Sequence, residues 1–154
     1  MDGPVLFDIV LVEKSDVDAE LMLGLFQRHK LANSVVRARN ADEALDFVMG
    51  RGAYASRGTK SLGLMLLDLN LPEADGIKVV MAVKTERRTQ SLPIVVLTAS
   101  AQQRDKVESY RLGVDGYLVK PVQFTDVAGL FAGMGFSWGV FRQRPDQGAD
   151  RIGR

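Results

Sequence analysis

Leu64 to Gly76 reads LMLLDLNLPEADG, and this stretch decides the fold. Four consecutive apolar residues, Leu64 to Leu67, have the length and uniform hydrophobicity of a strand covered on both faces, as strands of parallel sheets are. The run ends at Asp68. Pro72, Asp75 and Gly76 then mark a turn, and a helix is expected to follow to about Lys84. A buried strand, a carboxylate at its C-terminal end and a helix behind it make one β-α unit.

The same unit recurs on both sides. Phe7 to Val12 (FDIVLV) reads as strand one. Asp16 to about Lys30 reads as a helix, with Leu21, Met22, Leu25 and Phe26 on its apolar face and Ser15 or Asp16 as N-cap. Ser34 to Ala38 is a short second strand, after which Asn40 caps a helix carrying Ala44, Leu45, Val48 and Met49, with Glu43 at the capping-box position. Gly50 to Ser61 reads as a loop. Beyond the central unit, Leu92 to Leu97 is a fourth strand, Ser100 or Ala101 through Leu112 a helix, and Gly116 to Val119 a fifth strand. A last helix starts near Gln123 and runs past Phe131, although Gly129, Gly133 and Gly135 each cost about 1 kcal/mol relative to Ala in a helix interior. The alternation predicts an α/β domain, a five-stranded parallel sheet doubly wound by its helices.

Composition bounds what such a domain can do. The 154 residues, 46% of them apolar, suit one core and leave no room for a second domain of typical size. Residues 1–141 are expected to form that domain, with its core at about 7–131, and the polar residues 142–154 a disordered tail without room for an output domain. A formal net charge of +1 recommends neither nucleic acid nor an anionic membrane as partner, and the tail's arginines are diluted by Asp146 and Asp150. No cysteine is present, which excludes disulfides, thiolate metal sites and cysteine nucleophiles and fits a cytoplasmic location. No apolar run approaches the roughly 20 residues that span a bilayer.

In open α/β sheets ligands bind beyond the C-terminal ends of the strands. Here that edge collects Glu13 and Lys14 after strand one, Asp68 after strand three, Thr98 after strand four and Lys120 after strand five. Taken singly, each has a plainer role as a turn, strand or surface residue. Together they suit phosphoryl chemistry: Asp68 as a nucleophile, Lys120 as a cation for a phosphoryl oxygen, and Thr98 as a hydrogen-bond donor. A hydrolytic enzyme has little support, since there is no GxSxG elbow and the single histidine, His29, lies near the end of the first helix.

The segments IVLVE (9–13), LLDLNLPEADG around Asp68, PIVVLTAS around Thr98 and LGVDGYLVKPV around Lys120 make the chain resemble the receiver domains of two-component response regulators. The resemblance implies a flavodoxin-like (βα)5 fold with strand order 2-1-3-4-5. It implies Asp68 as phosphoacceptor, Lys120 as the lysine that contacts the phosphoryl group, Thr98 as the switch hydroxyl and Tyr117 as the switch aromatic. It further implies a cis Lys120 to Pro121 peptide bond, a histidine kinase as partner, and Mg²⁺ held by Glu13 through water, Asp68 and the backbone carbonyl of Asn70. Signalling would then run through the face formed by the fourth helix, fifth strand and fifth helix, without enzymatic output. EKSDVDAEL, ADEALDFV and LDLNLP resemble the stand-alone subgroup that serves phytochrome-type histidine kinases. In that subgroup a C-terminal aromatic extension, here Phe136, Trp138 and Phe141, holds a homodimer.

One position departs from the pattern: Lys14 stands where these receivers carry the acid that ligates Mg²⁺ directly. Two unit charges 4 Å apart interact by about 4 kcal/mol at an effective dielectric of 20, and a divalent ion doubles this. Mg²⁺ binding is therefore expected to be weakened or lost. Either Lys14 pairs with Asp68 or Glu13, fills the metal's place and leaves a phosphorylation-independent interaction module, or its flexible stem swings into solvent.

Overall fold

The computed structural model describes residues 8–31, 33–55, 62–69, 71–108 and 111–135. Five strands, β1 (Asp8–Val12), β2 (Val35–Ala38), β3 (Leu62–Asp68), β4 (Ile94–Thr98) and β5 (Gly116–Val119), form one sheet in the order β2-β1-β3-β4-β5. Every pairing is parallel. Between and after them lie α1 (Asp16–Arg28), α2 (Ala41–Met49), α3 (Glu73–Thr85), α4 (Ala101–Glu108) and α5 (Phe124–Gly133). This is the flavodoxin-like arrangement.

Side chains of a strand alternate between the two faces of the sheet, and the core divides accordingly. Val10, Val12, Met65, Leu67, Ile94 and Val96 pack against α2, α3 and Val107 of α4. Ile9, Leu11, Leu64, Leu66, Val95 and Leu97 pack against Met22, Leu25 and Phe26 of α1 and Val127 and Phe131 of α5. With β1, β3 and β4 covered on both faces, their uniform hydrophobicity follows, each buried aliphatic side chain contributing roughly 1.5–3 kcal/mol. The helix α4 is the exception. Val107 is its only buried residue among those described, so its hold on the sheet is slight.

Local chemistry sets the ends of the helices. Ser15 Oγ accepts a hydrogen bond from Asp18 N (3.2 Å) and Asn40 Oδ1 one from Glu43 N (2.8 Å), each relieving an unpaired amide of a first turn. Gly50 ends α2 in the left-handed conformation that glycine adopts without penalty. Several boundaries differ from expectation. Asp75 and Gly76 are inside α3, which starts directly after Pro72. The strand β4 starts at Ile94 rather than Leu92, because Asp115 Oδ2 accepts from Ile94 N (2.8 Å) and fixes the strand's beginning there. The helix α4 is described as far as Glu108, and Arg111 has φ of 51°, so helical geometry does not reach Leu112. Within the loop after α2, Gly52–Tyr54 form a 3₁₀ turn whose Tyr54 ring meets Phe47 edge-on at 5.1 Å. Gly129 is accommodated within α5. The Lys120–Pro121 bond is cis. Phe7, Asn70, the aromatic residues Phe136, Trp138 and Phe141, and the tail 142–154 lie outside the described residues.

Candidate functional site

Sheet register brings the strand-end residues together. Val12 pairs with Leu67, so Glu13 and Asp68 leave neighbouring strands side by side. Asp68 pairs with Leu97 and Thr98 with Val119, so the chain reaches Lys120 one residue beyond. Lys120 N donates to Thr98 O (2.8 Å), extending the ladder to the site itself.

The Lys120 ammonium is the centre of the site. Its Nζ lies 2.6 Å from Asp68 Oδ2, 2.7 Å from Asp18 Oδ2 and 2.9 Å from Glu13 Oε1. The side chains of Glu13 and Asp68 are fully buried, whereas Asp18 is 34% exposed. Burial pushes the Glu13 carboxyl up to about 7, helped by its hydrogen bond to Asp68 and opposed by Lys120. Burial alone would lower the Lys120 ammonium, but its bonds to Asp18, Asp68 and Glu13 outweigh that and hold it above the usual lysine range. Three carboxylates thus share one ammonium, two of them fully buried and the third, Asp18, partly open to solvent.

Lys14 takes no part in this. Its side chain is exposed, and among the described residues its ammonium forms no ion pair. The expected alternative, a Lys14 to Asp68 pair filling the metal's place, is corrected: the lysine on Asp68 is Lys120. The cause is Arg37 on β2. Its Nε and Nη2 donate to Glu13 O (3.0 and 2.9 Å), Nη2 also to Lys14 O (3.1 Å), and Nη1 bonds Asp16 Oδ1 (2.6 Å). Arg39 adds a second bond to Asp16 Oδ1 (2.7 Å), and the two guanidiniums hold the Asp16 carboxyl below the ordinary range. These bonds fix the backbone that joins β1 to α1. Lys14 is left facing solvent and the first turn of α1 faces the site.

Sequence reasoning missed Asp18 and Arg37. A signal for Asp18 was present: Asp18, Met22 and Leu25 fall at i, i+4 and i+7, so the carboxylate heads the stripe that α1 buries. Arg37 had none, since an arginine on a short strand reads as a surface residue.

Thr98 is buried at the end of β4, but its hydroxyl donates to Ser100 O (3.2 Å) in the loop leading to α4. Tyr117 is half-buried on β5 against the α2-α3-α4 face, with its phenol raised first by burial and then by Glu108. An open cavity of about 410 Å³ adjoins the site, with Asp18 and Lys120 in its lining and Leu21, Met22, Leu25, Pro121 and Val122 as its apolar wall.

The donor set suits a hard divalent cation. One oxygen from each of Glu13, Asp18 and Asp68 lies within 4.8 Å of the others, and carboxylate oxygens are the ligands that Mg²⁺ and Mn²⁺ prefer. The cluster thus offers the oxygen donors and the negative charge that such a cation takes.

A doubly wound sheet with this acidic cluster and lysine at its C-terminal edge defines a signalling receiver, and the model of the response regulator receiver domain matches residues 9–130, so the chain belongs to that family. Among its relatives, response regulator Rcp1 of Synechocystis sp. is 32% identical over 130 residues, 84% of this chain and 87% of Rcp1. The solved structure of the bacteriophytochrome response regulator RtBRR superimposes with a TM-score of 0.81 at 37% identity, covering 93% of this chain and 86% of that one. Rcp1 has itself been solved with Mn²⁺ bound, with a TM-score of 0.65 at 31% identity over 83% of this chain and 91% of that one. The phosphorylated cyanobacterial phytochrome response regulator RcpA matches with a TM-score of 0.68 at 30% identity, covering 84% of this chain and 91% of that one. Among the described residues no helix is long and apolar enough to cross a membrane.

Proposed function

We propose that this chain accepts a phosphoryl group on Asp68 from a histidine kinase and signals through protein contacts of its α4-β5-α5 face. One observation carries the reading: a fully buried Asp68 carboxylate at a strand's C-terminal end, 2.6 Å from a lysine ammonium. An Asp68 oxygen forms the new bond to phosphorus while the bond to the donor's imidazole nitrogen breaks, and the imidazole leaves with its electron pair. Lys120 then balances charge on the transferred group. Glu13, Asp18 and Asp68 would hold a Mg²⁺ ion, which when bound would supply further positive charge to the phosphoryl oxygens.

Thr98 and Tyr117 are the residues through which the change would travel. Once a phosphoryl oxygen offers a stronger acceptor than Ser100 O, the Thr98 hydroxyl turns to it and the loop to α4 is released. That helix is held by Val107, so little packing resists its shift. Tyr117, on the same face, follows by moving into the space vacated.

The likeness to RtBRR, Rcp1 and RcpA favours a phytochrome-type kinase as donor. Phe136, Trp138 and Phe141 would hold a homodimer, because an aromatic cluster past the last helix is costly to leave in water. The exposed Lys14 gives the phosphorylation-independent module no support. Intact-mass spectrometry after incubation with acetyl phosphate, with and without Mg²⁺, tests the central claim. One phosphate adduct is expected on the native chain and none on Asp68→Asn; an adduct that persists in Asp68→Asn refutes it.

A further inference from the structure

The family pattern puts a metal-ligating acid at position 14, and this chain has a solvent-facing lysine there. Yet the site is not short of carboxylates. We infer that Asp18 supplies the missing acid from the first turn of α1, and that a divalent cation and the Lys120 ammonium compete for one place among Glu13, Asp18 and Asp68. The inference rests on the phosphoryl-acceptance reading, which it deepens by naming how an atypical chain keeps its metal.

Three observations support it. Asp18 is aimed at the site from both sides: Ser15 Oγ accepts from its amide, and its carboxylate reaches Lys120 Nζ at 2.7 Å. Arg37 holds the carbonyls of Glu13 and Lys14, so the turn that carries Asp18 inward is the same turn that carries Lys14 out. Lastly, Nζ already sits 2.6–2.9 Å from one oxygen of each carboxylate, which is a cation in a three-oxygen coordination shell.

The oxygens are close enough to be gathered by a metal of this class. Mg²⁺ takes oxygens at about 2.1 Å, so adjacent ligands of its octahedron stand about 3.0 Å apart and opposite ones about 4.2 Å, and the three carboxylate oxygens, within 4.8 Å of one another, must draw in around the ion to reach those distances. Three carboxylates against one ammonium leave formal negative charge, two of the carboxylates being fully buried where solvent does not relieve it. A divalent ion answers that charge better than the ammonium does. Lys120, 16% exposed and on a flexible four-carbon stem, is then free to leave the cluster for a phosphoryl oxygen on Asp68. One lysine thus guards the site when empty and serves it when loaded.

The test is Mn²⁺ titration of the full chain, with free Mn²⁺ counted by electron paramagnetic resonance, for the native protein, Asp18→Asn and Lys120→Ala. Thermal melts check that each variant is folded. The native chain is expected to bind one ion at this site, Asp18→Asn to bind it about tenfold or more weakly, and Lys120→Ala to bind it several-fold more tightly. The gain in Lys120→Ala is a result that misfolding does not produce. No Mn²⁺ bound by the native chain, an affinity in Asp18→Asn within about threefold of native, or weaker binding in Lys120→Ala each overturns the inference. Phosphoryl acceptance is read separately, from the acetyl phosphate adduct on Asp68. An adduct on a chain whose Mn²⁺ affinity ignores Asp18 removes the inference and leaves that reading intact.

Discussion

Glu13→Gln is expected to stabilise the protein at alkaline pH. The carboxyl of Glu13 is raised from 4.5 to about 7, chiefly by burial and then by its hydrogen bond to Asp68. Between those two values the folded chain holds a proton that the unfolded chain releases, so stability falls as pH rises through the window, and above about 7 the whole cost is present. At 1.36 kcal/mol per pH unit the shift corresponds to about 3 kcal/mol. Glutamine keeps the shape and an oxygen for Lys120 but carries no charge at any pH, so it resembles the protonated glutamic acid throughout. Urea unfolding in the presence of a chelator, at about pH 5 and about pH 8, reads the difference. The variant is expected to be more stable by about 3 kcal/mol at the higher pH and to differ by under about 1 kcal/mol at the lower. Added Mg²⁺ is expected to narrow the gap at the higher pH by stabilising the ionised native site. A variant less stable than native at about pH 8, or a gap that does not change with pH, refutes the reasoning.

Other consequences follow from the same geometry. Since Lys14 is exposed and unpaired among the described residues, Lys14→Ala should leave the yield of acetyl phosphate adduct within about threefold of native, which mass spectrometry reads; complete loss would show that Lys14 acts in the site after all. Arg37→Gln removes charged hydrogen bonds to Glu13 O and Lys14 O, and denaturant melts should show a loss of about 2 kcal/mol. Gly129 is a helical glycine whose added Cβ would meet nothing within 4 Å, so Gly129→Ala should raise stability by about 0.5–1 kcal/mol, visible as a higher melting temperature.

Much of the protein was legible along the chain. Strands β1, β3 and β4 are buried on both faces, so their hydrophobicity is continuous and survives as a pattern in one dimension. Asp68 and Thr98 were findable because each ends such a run, Lys120 because it directly follows the short edge strand β5, and parallel strands deliver their ends to a common edge. Ser15, Asn40 and Gly50 are local devices that act within one turn, and the first two were readable for that reason. Boundaries set from a distance were not. The start of β4 depends on Asp115, which lies 21 residues away.

The sequence by itself determined the five β-α units, the edge where chemistry gathers and the absence of an acid at position 14. Only the tertiary structure decided what that absence means. Lys14 faces solvent because Arg37, 24 residues from Glu13, holds the carbonyls of the turn, and Asp18 enters the site because the same turn sets the azimuth of α1. Charge–charge and hydrogen-bond energies depend on distance in space, which sequence separation does not encode, and so a lysine in the place of an acid could be read locally only as a loss.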